Sequence, residues 1–345
     1  MKKLTLNLCY ALVTAALAQS AQAQFTYTGG NLNSAQTYDG TGVDSGLNPY
    51  AIGNSSANDY IGTGSGGNGS ITMSSGTLTI NASDFKVANG SGSTGNLNVN
   101  GGTLNINQIG LWGGGAGMGG NGTISIASGA TVNWQTSGST EQRFMFGNGT
   151  GGVGILNLNG GSLYNFFDSA QALTDAERQF RAGSDGGIAT INLNAGLWSL
   201  NGAVPFFLGG KYNNMNGTAG IVQGASVSIM NIANGVFQQT GITIGTGFSA
   251  TESTFTVGAN DLINFSSTGT GSLSLQGWTS SDYLNLATSG KLEVDGSVVS
   301  DLNLFSYQSV GGQGVLGITA VPEPSPLALF GAGILGLVSV IRRRK

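Results

Sequence analysis

The carboxylates are the residues of this sequence best suited to chemistry, and two groups of them stand close to one another or to cations. Glu293 and Asp295 occupy alternate positions of "KLEVDG", which as a strand places both on one face. Asp175, Glu177, Arg178 and Arg181 form a second group, with Asp185 a little further on in "GSDGG". Carboxylates converging on a groove, with Arg or Lys beside them, are the apparatus of glycoside cleavage. The ordinary reading of each group is a solvated strand edge or helix face, where ion pairs contribute little. The acids do not recur at one repeat position, so neither an acidic groove nor a calcium ladder is expected, and no catalytic residue is assigned. Histidine is absent, which removes Ser-His-Asp and Cys-His catalysis and every His-ligated metal site. The single cysteine, Cys9, lies near the N-terminus, so the body of the chain has no disulfide.

Glycine-rich matches carry little. Gly62, Gly64 and Gly67 fit G-x-G-x-x-G, and Gly245, Gly247 and Ala250 fit its Ala-ended form. A dinucleotide site needs a helix N-terminus directly after that turn, and polar or β-rich sequence follows instead. "FFLGGKY", around Lys211, lacks both the glycine spacing and the hydroxyl residue of a phosphate loop. No cofactor and no metal is expected. Trp112, Trp134, Trp198, Trp278, Tyr164 and Tyr212 fall at strand ends or loop starts. Exposed rings there would suit sugars, whereas packed rings are the commoner outcome in β proteins.

The elements that must position these residues come from a repeat. "GSITMSSGTLTI" begins at Gly69, "GNLNVNGGTLNI" at Gly95, "GTISIASGATVNW" at Gly122, "GILNLNGGSLYNF" at Gly154 and "ATINLNAGLWSL" at Ala189. Aligning Leu78, Leu104, Val132, Leu163 and Trp198 gives spacings of 26, 28, 31 and 35 residues. Leu97 and Val99 point to one side of a strand while Asn96, Asn98 and Asn100 point to the other; Leu104 and Ile106 repeat this against Asn105 and Asn107. A third apolar piece closes each unit: "FKVANGSG", "IGLWGGG", "FMFGNGTGG" and "FFLGGK". One unit is too thin to bury its own apolar row, so units must stack. Three strands per unit predict an all-β chain, a Gly/Asn-rich parallel β-helix (β-solenoid) with Asn ladders along the stack; a β-sandwich is the alternative. "TDAERQF" resembles a capping box, Thr174 to Glu177, that opens a short helix and sets Arg178 and Arg181 on one side of it. The repeat resembles the autotransporter-type β-strand repeat over roughly residues 66–250.

Two terminal segments frame the body. Lys2 and Lys3, the apolar run Leu4 to Ala18, and Ala21-Gln22-Ala23 read as a signal peptide cut after Ala23. At the other end stand Pro322, Glu323 and Pro324, an apolar run from Pro326 to Ile341, and Arg342, Arg343, Arg344 and Lys345. The run spans roughly 24 Å as a helix, short of a ~30 Å hydrocarbon core but workable with local thinning. The cations after it should stay cytoplasmic. This order resembles the PEP-CTERM sorting signal, which implies export, transient anchoring in the inner membrane by the C-terminal helix, and exosortase cleavage near the tripeptide. The resemblance implies exosortase and the export machinery as partners, and exopolysaccharide as a candidate partner of the delivered protein.

The expected organisation is a signal peptide over 1–23, an N-terminal cap over 24–65, solenoid repeats over 66–250, an irregular β segment over 251–320 and the sorting signal over 321–345, with its transmembrane helix over 326–341. Six of the 12 cations lie in the terminal segments, so a chain running from Gln24 to Pro324 keeps six against 16 acids, a net charge near −10. Such a body will not bind nucleic acid through its phosphates. The expected function is that of an exported, non-catalytic structural or interaction protein of the cell surface or extracellular polysaccharide matrix. A carbohydrate-active β-helix enzyme (lyase or glycosidase) and a membrane-anchored adhesin remain the alternatives.

Overall fold

The computed structural model describes residues 31–32, 35–38, 51–52, 59–82, 84–108, 114–137, 142–167, 178–201, 204–213, 220–223, 227–240 and 255–319. The signal-peptide segment, most of 24–65, Thr174, Asp175, Glu177, Trp112, Gly245, Gly247, Ala250 and the whole of 321–345 lie outside the described residues.

Each passage of the chain lays down three strands. Thr94–Val99, Gly102–Gln108 and Gly114–Met118 make one set; Asn121–Ala127, Ala130–Thr136 and Gln142–Asn148 make the next. Each strand pairs in parallel with its equivalent one set later: Thr94 with Asn121, Gly102 with Ala130, Gly114 with Phe144. The third strands form an 8-stranded sheet running from Asn31–Leu32 to Phe255–Val257, and the first and second strands belong to a 17-stranded sheet. We call the three series the first, second and third faces. In Val153–Phe167, Ile188–Asn201 and Ile229–Thr240 the first and second strands run on as one, past a register shift near Asn159 in the earliest of them.

Period-two alternation makes these strands and decides their facing. Leu78, Leu104, Val132, Leu163, Trp198, Phe237 and Leu273 are successive partners in a single row, all buried. Ile71, Leu97, Ile124, Leu156, Ile191, Met230 and Ile263 form the matching row on the first face. Each such side chain contributes roughly 1.5–3 kcal/mol on burial. Where the first and third faces approach, Gly69, Gly95, Gly122 and Gly154 fill one row, because a Cβ at Gly122 would overlap the backbone of Val87 and Gly117.

The third face supplies an aromatic spine. Phe180 stacks on Phe206 and Phe206 on Phe255, both at 4.6 Å between ring centroids. Gly114 occupies the place between Phe85 and Phe144 in this row, and Trp134 fills the gap it leaves, 5.4 Å from Phe85 and 4.4 Å from Phe144. Arg178–Ser184 belongs to this face as a strand, which corrects the expected helix at Arg178 and Arg181. The reason is non-local: Phe180 and Ala182 fall opposite Phe144 and Phe146 and are buried with them, so the ladder overrides a local helix signal. The third strand after Gly102–Gln108 is Gly114–Met118, a few residues beyond the start of the stretch expected from "IGLWGGG".

Parallel pairing continues past residue 250 through Leu262–Phe265 and Ser272–Gln276 to Leu292–Val294. Helix α1, Ser280–Thr288, stands between Ser272–Gln276 and Leu292–Val294, where the sequence predicts only β structure. Thr279 donates through both its N–H and Oγ1 to Asp282 Oδ2 at 2.7 Å, and Tyr283 and Ala287 are buried, so capping and two apolar contacts make the helix. An antiparallel hairpin, Phe305–Val310 and Gln313–Ile318, closes the edge of Ser272–Gln276; Gly311 and Gly312, both at positive φ, form its two-residue turn.

Candidate functional site

The outward positions of the first and second faces are the feature of this molecule that most resembles a site. From Asn68–Met73 through Ser272–Gln276, no strand of these two faces contains Asp, Glu, Lys or Arg. Four of the six cations between Gln24 and Pro324 (Lys86, Arg143, Arg178 and Arg181) lie in third-face strands instead. Outward residues of the first two faces are mostly Asn, Ser and Thr. They offer amides and hydroxyls, groups that donate and accept at once.

In parallel, in-register strands, equal side chains meet at each step, and their amides bond along the stack. Asn264 Nδ2 donates to Asn231 Oδ1 at 3.1 Å, Asn231 to Asn192 at 2.9 Å, Asn192 to Asn157 at 2.8 Å, and Asn157 to Ser125 Oγ at 3.4 Å. Gly296 N–H donates to Asn264 Oδ1 at 3.0 Å and caps the chain of bonds. On the second face Asn107 donates to Asn81, and Asn133 to Asn105, both at 2.9 Å. All these donors point the same way along the stack, so the amides are held in fixed orientation.

The residues singled out in the sequence distribute unevenly. Glu293 sits in Leu292–Val294 opposite Asn264, at the end of the Asn row and largely buried. Asp295 follows in a turn at φ +49, exposed, and its Oδ1 accepts from Ser267 N–H at 3.0 Å. The two do not share a strand face, a correction caused by the left-handed turn that ends the strand. Hydrogen bonds from Ser267 hold the Asp295 carboxyl below its usual range. Asp185 is exposed in another left-handed turn, at φ +55, and Arg181 is buried in the third face. Trp134 and Trp198 are core residues, not surface rings: Trp134 Nε1 donates to Gln108 Oε1 at 3.3 Å and Trp198 Nε1 to Asn165 Oδ1 at 2.7 Å. Trp278 is half-buried against Tyr283 and Phe255. Gly62, Gly64 and Gly67 form a corner that leads into the strand Asn68–Met73. Lys211 and Tyr212 belong to an antiparallel pair, Gly210–Asn213 with Gly220–Gln223.

Among the described side chains, Tyr164 alone of those aromatics points outward from a charge-free face, and it has a companion, Phe166, that sequence reasoning does not single out. The two rings lie 6.3 Å apart at 22°, and Phe166 is 39% exposed. Two aromatics spaced by two in a strand must share a side, and that spacing is the signal that could find the pair.

Asp261 is a buried carboxylate with one oxygen lacking a hydrogen-bond partner. Asp261, at the corner before Leu262–Phe265, accepts from Ser228 N–H at 2.6 Å through Oδ1, while Oδ2 has no partner. Burial pushes its carboxyl up to about 6, against the opposing pull of the Ser228 hydrogen bonds and of Lys291. Gly209 lies against it, where any Cβ would overlap Oδ2. Among the described residues Asp261 belongs to no group of three or more acids that could hold a metal ion.

Among the described residues no helix is long and apolar enough to cross a membrane; the expected span over 326–341 lies outside them. Residues 320–345 match the PEP-CTERM protein-sorting motif, and Pro322, Glu323, Pro324 and the Arg342–Arg344 cluster fall inside the match. No curated protein and no solved structure matches the chain. The motif supports processing by an exosortase, and it implies export and a membrane-anchored C-terminal sorting signal.

Proposed function

We propose that the chain is an exported, non-catalytic structural or interaction protein of the cell surface or extracellular polysaccharide matrix, cut by an exosortase near Pro322–Pro324. Its body is a parallel β-solenoid of the autotransporter-type repeat, whose first and second faces are the working surface. The sorting motif supports the route. The observation that carries the role is the pair of charge-free faces, which present ordered amides and hydroxyls over many strands.

A non-catalytic role is favoured by where the carboxylates lie. Among the described residues Glu293, Asp295, Asp261 and Asp185 occupy separate strand, turn and corner positions, with none paired across a groove. Glycoside cleavage needs two carboxyls on opposite sides of one bond. The signal peptide with cleavage at Ala21-Gln22-Ala23, and the cap, repeat and end segments over 24–65, 66–250 and 251–320, complete the proposed organisation.

The test is fractionation of the native cell into membrane, surface matrix and medium, followed by intact mass of the protein in each. A species that starts at Gln24 and ends near Pro324, outside the inner membrane, is expected. A chain that retains Lys345 in the membrane fraction would overturn release and make the molecule an anchored adhesin. Depolymerisation of a polysaccharide by the purified protein would overturn the non-catalytic reading.

A further inference from the structure

We propose that Tyr164 and Phe166 form a binding platform for a neutral glycan on the second face. The inference rests on the reading of the charge-free faces as the working surface, and names the ligand class that surface takes.

Among the described residues from Asn68 to Gln276, these are the only aromatic side chains that point outward from the first and second faces; Trp134, Phe167, Trp198, Phe237 and Phe265 all point inward and are buried. The rings lie nearly parallel, with centroids 6.3 Å apart, and so present a two-ring floor instead of an isolated side chain. Nothing in the packing calls for Phe166 on this side, because the core row beneath it is already filled by Leu163, Asn165 and Phe167. Phe166 is 39% exposed and lies beside the ring of Tyr164, so the two offer one contiguous apolar surface that a partner can cover.

The flanks define the ligand. Asn133 and Ser199 are the register partners of Tyr164, and Gln135 and Asn201 those of Phe166. Three of these four are already oriented: Asn133 Nδ2 donates to Asn105, and Asn201 Oδ1 accepts from Ser199 Oγ at 3.2 Å and from Thr240 Oγ1 at 2.5 Å. An apolar floor bracketed by amides matches a pyranose, which has a C–H face and a rim of hydroxyls. The strands of these two faces carry no charge, so along them a polyanion finds no cation to pair with and a polycation no carboxylate. The complement of this surface is a polyhydroxylated, uncharged chain.

The experiment uses the full chain in detergent micelles, with soluble β-glucan, mannan and galactan as neutral probes and alginate and polygalacturonate as anionic ones, read by affinity electrophoresis and calorimetry. Binding to at least one neutral polysaccharide is expected, weakened about tenfold or more by Tyr164→Ala with Phe166→Ala, and changed little by Tyr164→Phe. If the double variant melts early, a measurement on the unaltered chain decides: the bound glycan should protect Tyr164 from nitration, as mapped by peptide mass. Failure to bind every neutral probe, preference for the anionic ones, or binding indifferent to the ring substitutions with Tyr164 unprotected would overturn the proposal. So would ring substitutions that only split a dimer, which would give the platform to a second copy of the chain. A protein found processed at the cell surface that binds no neutral glycan would remove this inference and leave the exported role standing.

Discussion

Asp261 shows how one side chain sets a condition on the whole chain. Its carboxyl titrates near 3.8 when exposed and about 6 in the fold, so between those values the folded chain holds a proton the unfolded one has lost. Stability on this account is greatest below about pH 4, declines as pH rises through 6 and then levels, a change on the order of 3 kcal/mol. Asp261→Asn should abolish that decline, so urea midpoints of the two chains from about pH 4 to about pH 8 should diverge in this sense; parallel curves would refute the buried-acid account. Gly209→Ala should destabilise at every pH, because its Cβ would overlap Asp261 Oδ2 and its φ is +83. Trp134 is a second residue-level case. It fills the place that Gly114 leaves between Phe85 and Phe144, so Trp134→Ala should lower stability by about 3–5 kcal/mol in chemical denaturation.

At the scale of the element, strands are defined by what lies beside them in the stack. Asn192 receives from Asn231 and gives to Asn157, whereas Asn194 makes one exposed bond to Asn159. Asn192→Ala should therefore cost about 1–3 kcal/mol and Asn194→Ala about 0.5 kcal/mol or less, a difference readable in urea midpoints. The same dependence on neighbours explains how far the sequence is legible. Leu78, Leu104, Val132, Leu163 and Trp198 align by their letters alone, because the alternation is strict and inward positions are apolar in every set. Arg178–Ser184 reads as helix because the letters before it spell a helix start, while the cause of the strand lies in Phe144 and Phe206, each more than twenty residues away. Ser280–Thr288 is hidden although Thr279 and Asp282 stand at capping-box spacing, since the surrounding run resembles more alternation. Phe166 escapes notice because an apolar residue in a strand reads as core unless the inward positions are counted through the bend near Asn159.

Over the whole molecule charge is unevenly placed: four of the six cations between Gln24 and Pro324 lie in third-face strands, and the strands of the first and second faces from Asn68–Met73 through Ser272–Gln276 carry none. The molecule also divides its cohesion into steps, since each set pairs only with the sets before and after it. Excision of residues 68–93, one complete set, brings Gly67 to Thr94 with the partners of Asn68 and Gly69 conserved in kind. The shortened chain is expected to keep its parallel β signature by circular dichroism and to melt cooperatively at a lower temperature. Loss of all β structure on that excision would contradict stepwise stacking. Removal of 290–319 is expected to do more harm, because the hairpin covers an edge that is otherwise open to other chains.

The position of that hairpin bears on how such a chain reaches its folded form. A polypeptide threaded across a membrane N-terminus first presents its sets one after another, and each after the first finds a pairing partner already across. Folding then follows emergence, like a zip closed from one end, with no need to wait for distant sequence. Phe305–Val310 and Gln313–Ile318 come last, just ahead of the matched sorting motif at 320–345. Completion of the stack and arrival of the sorting signal are thus nearly the same event, and a chain still tethered at that moment already has its far end built.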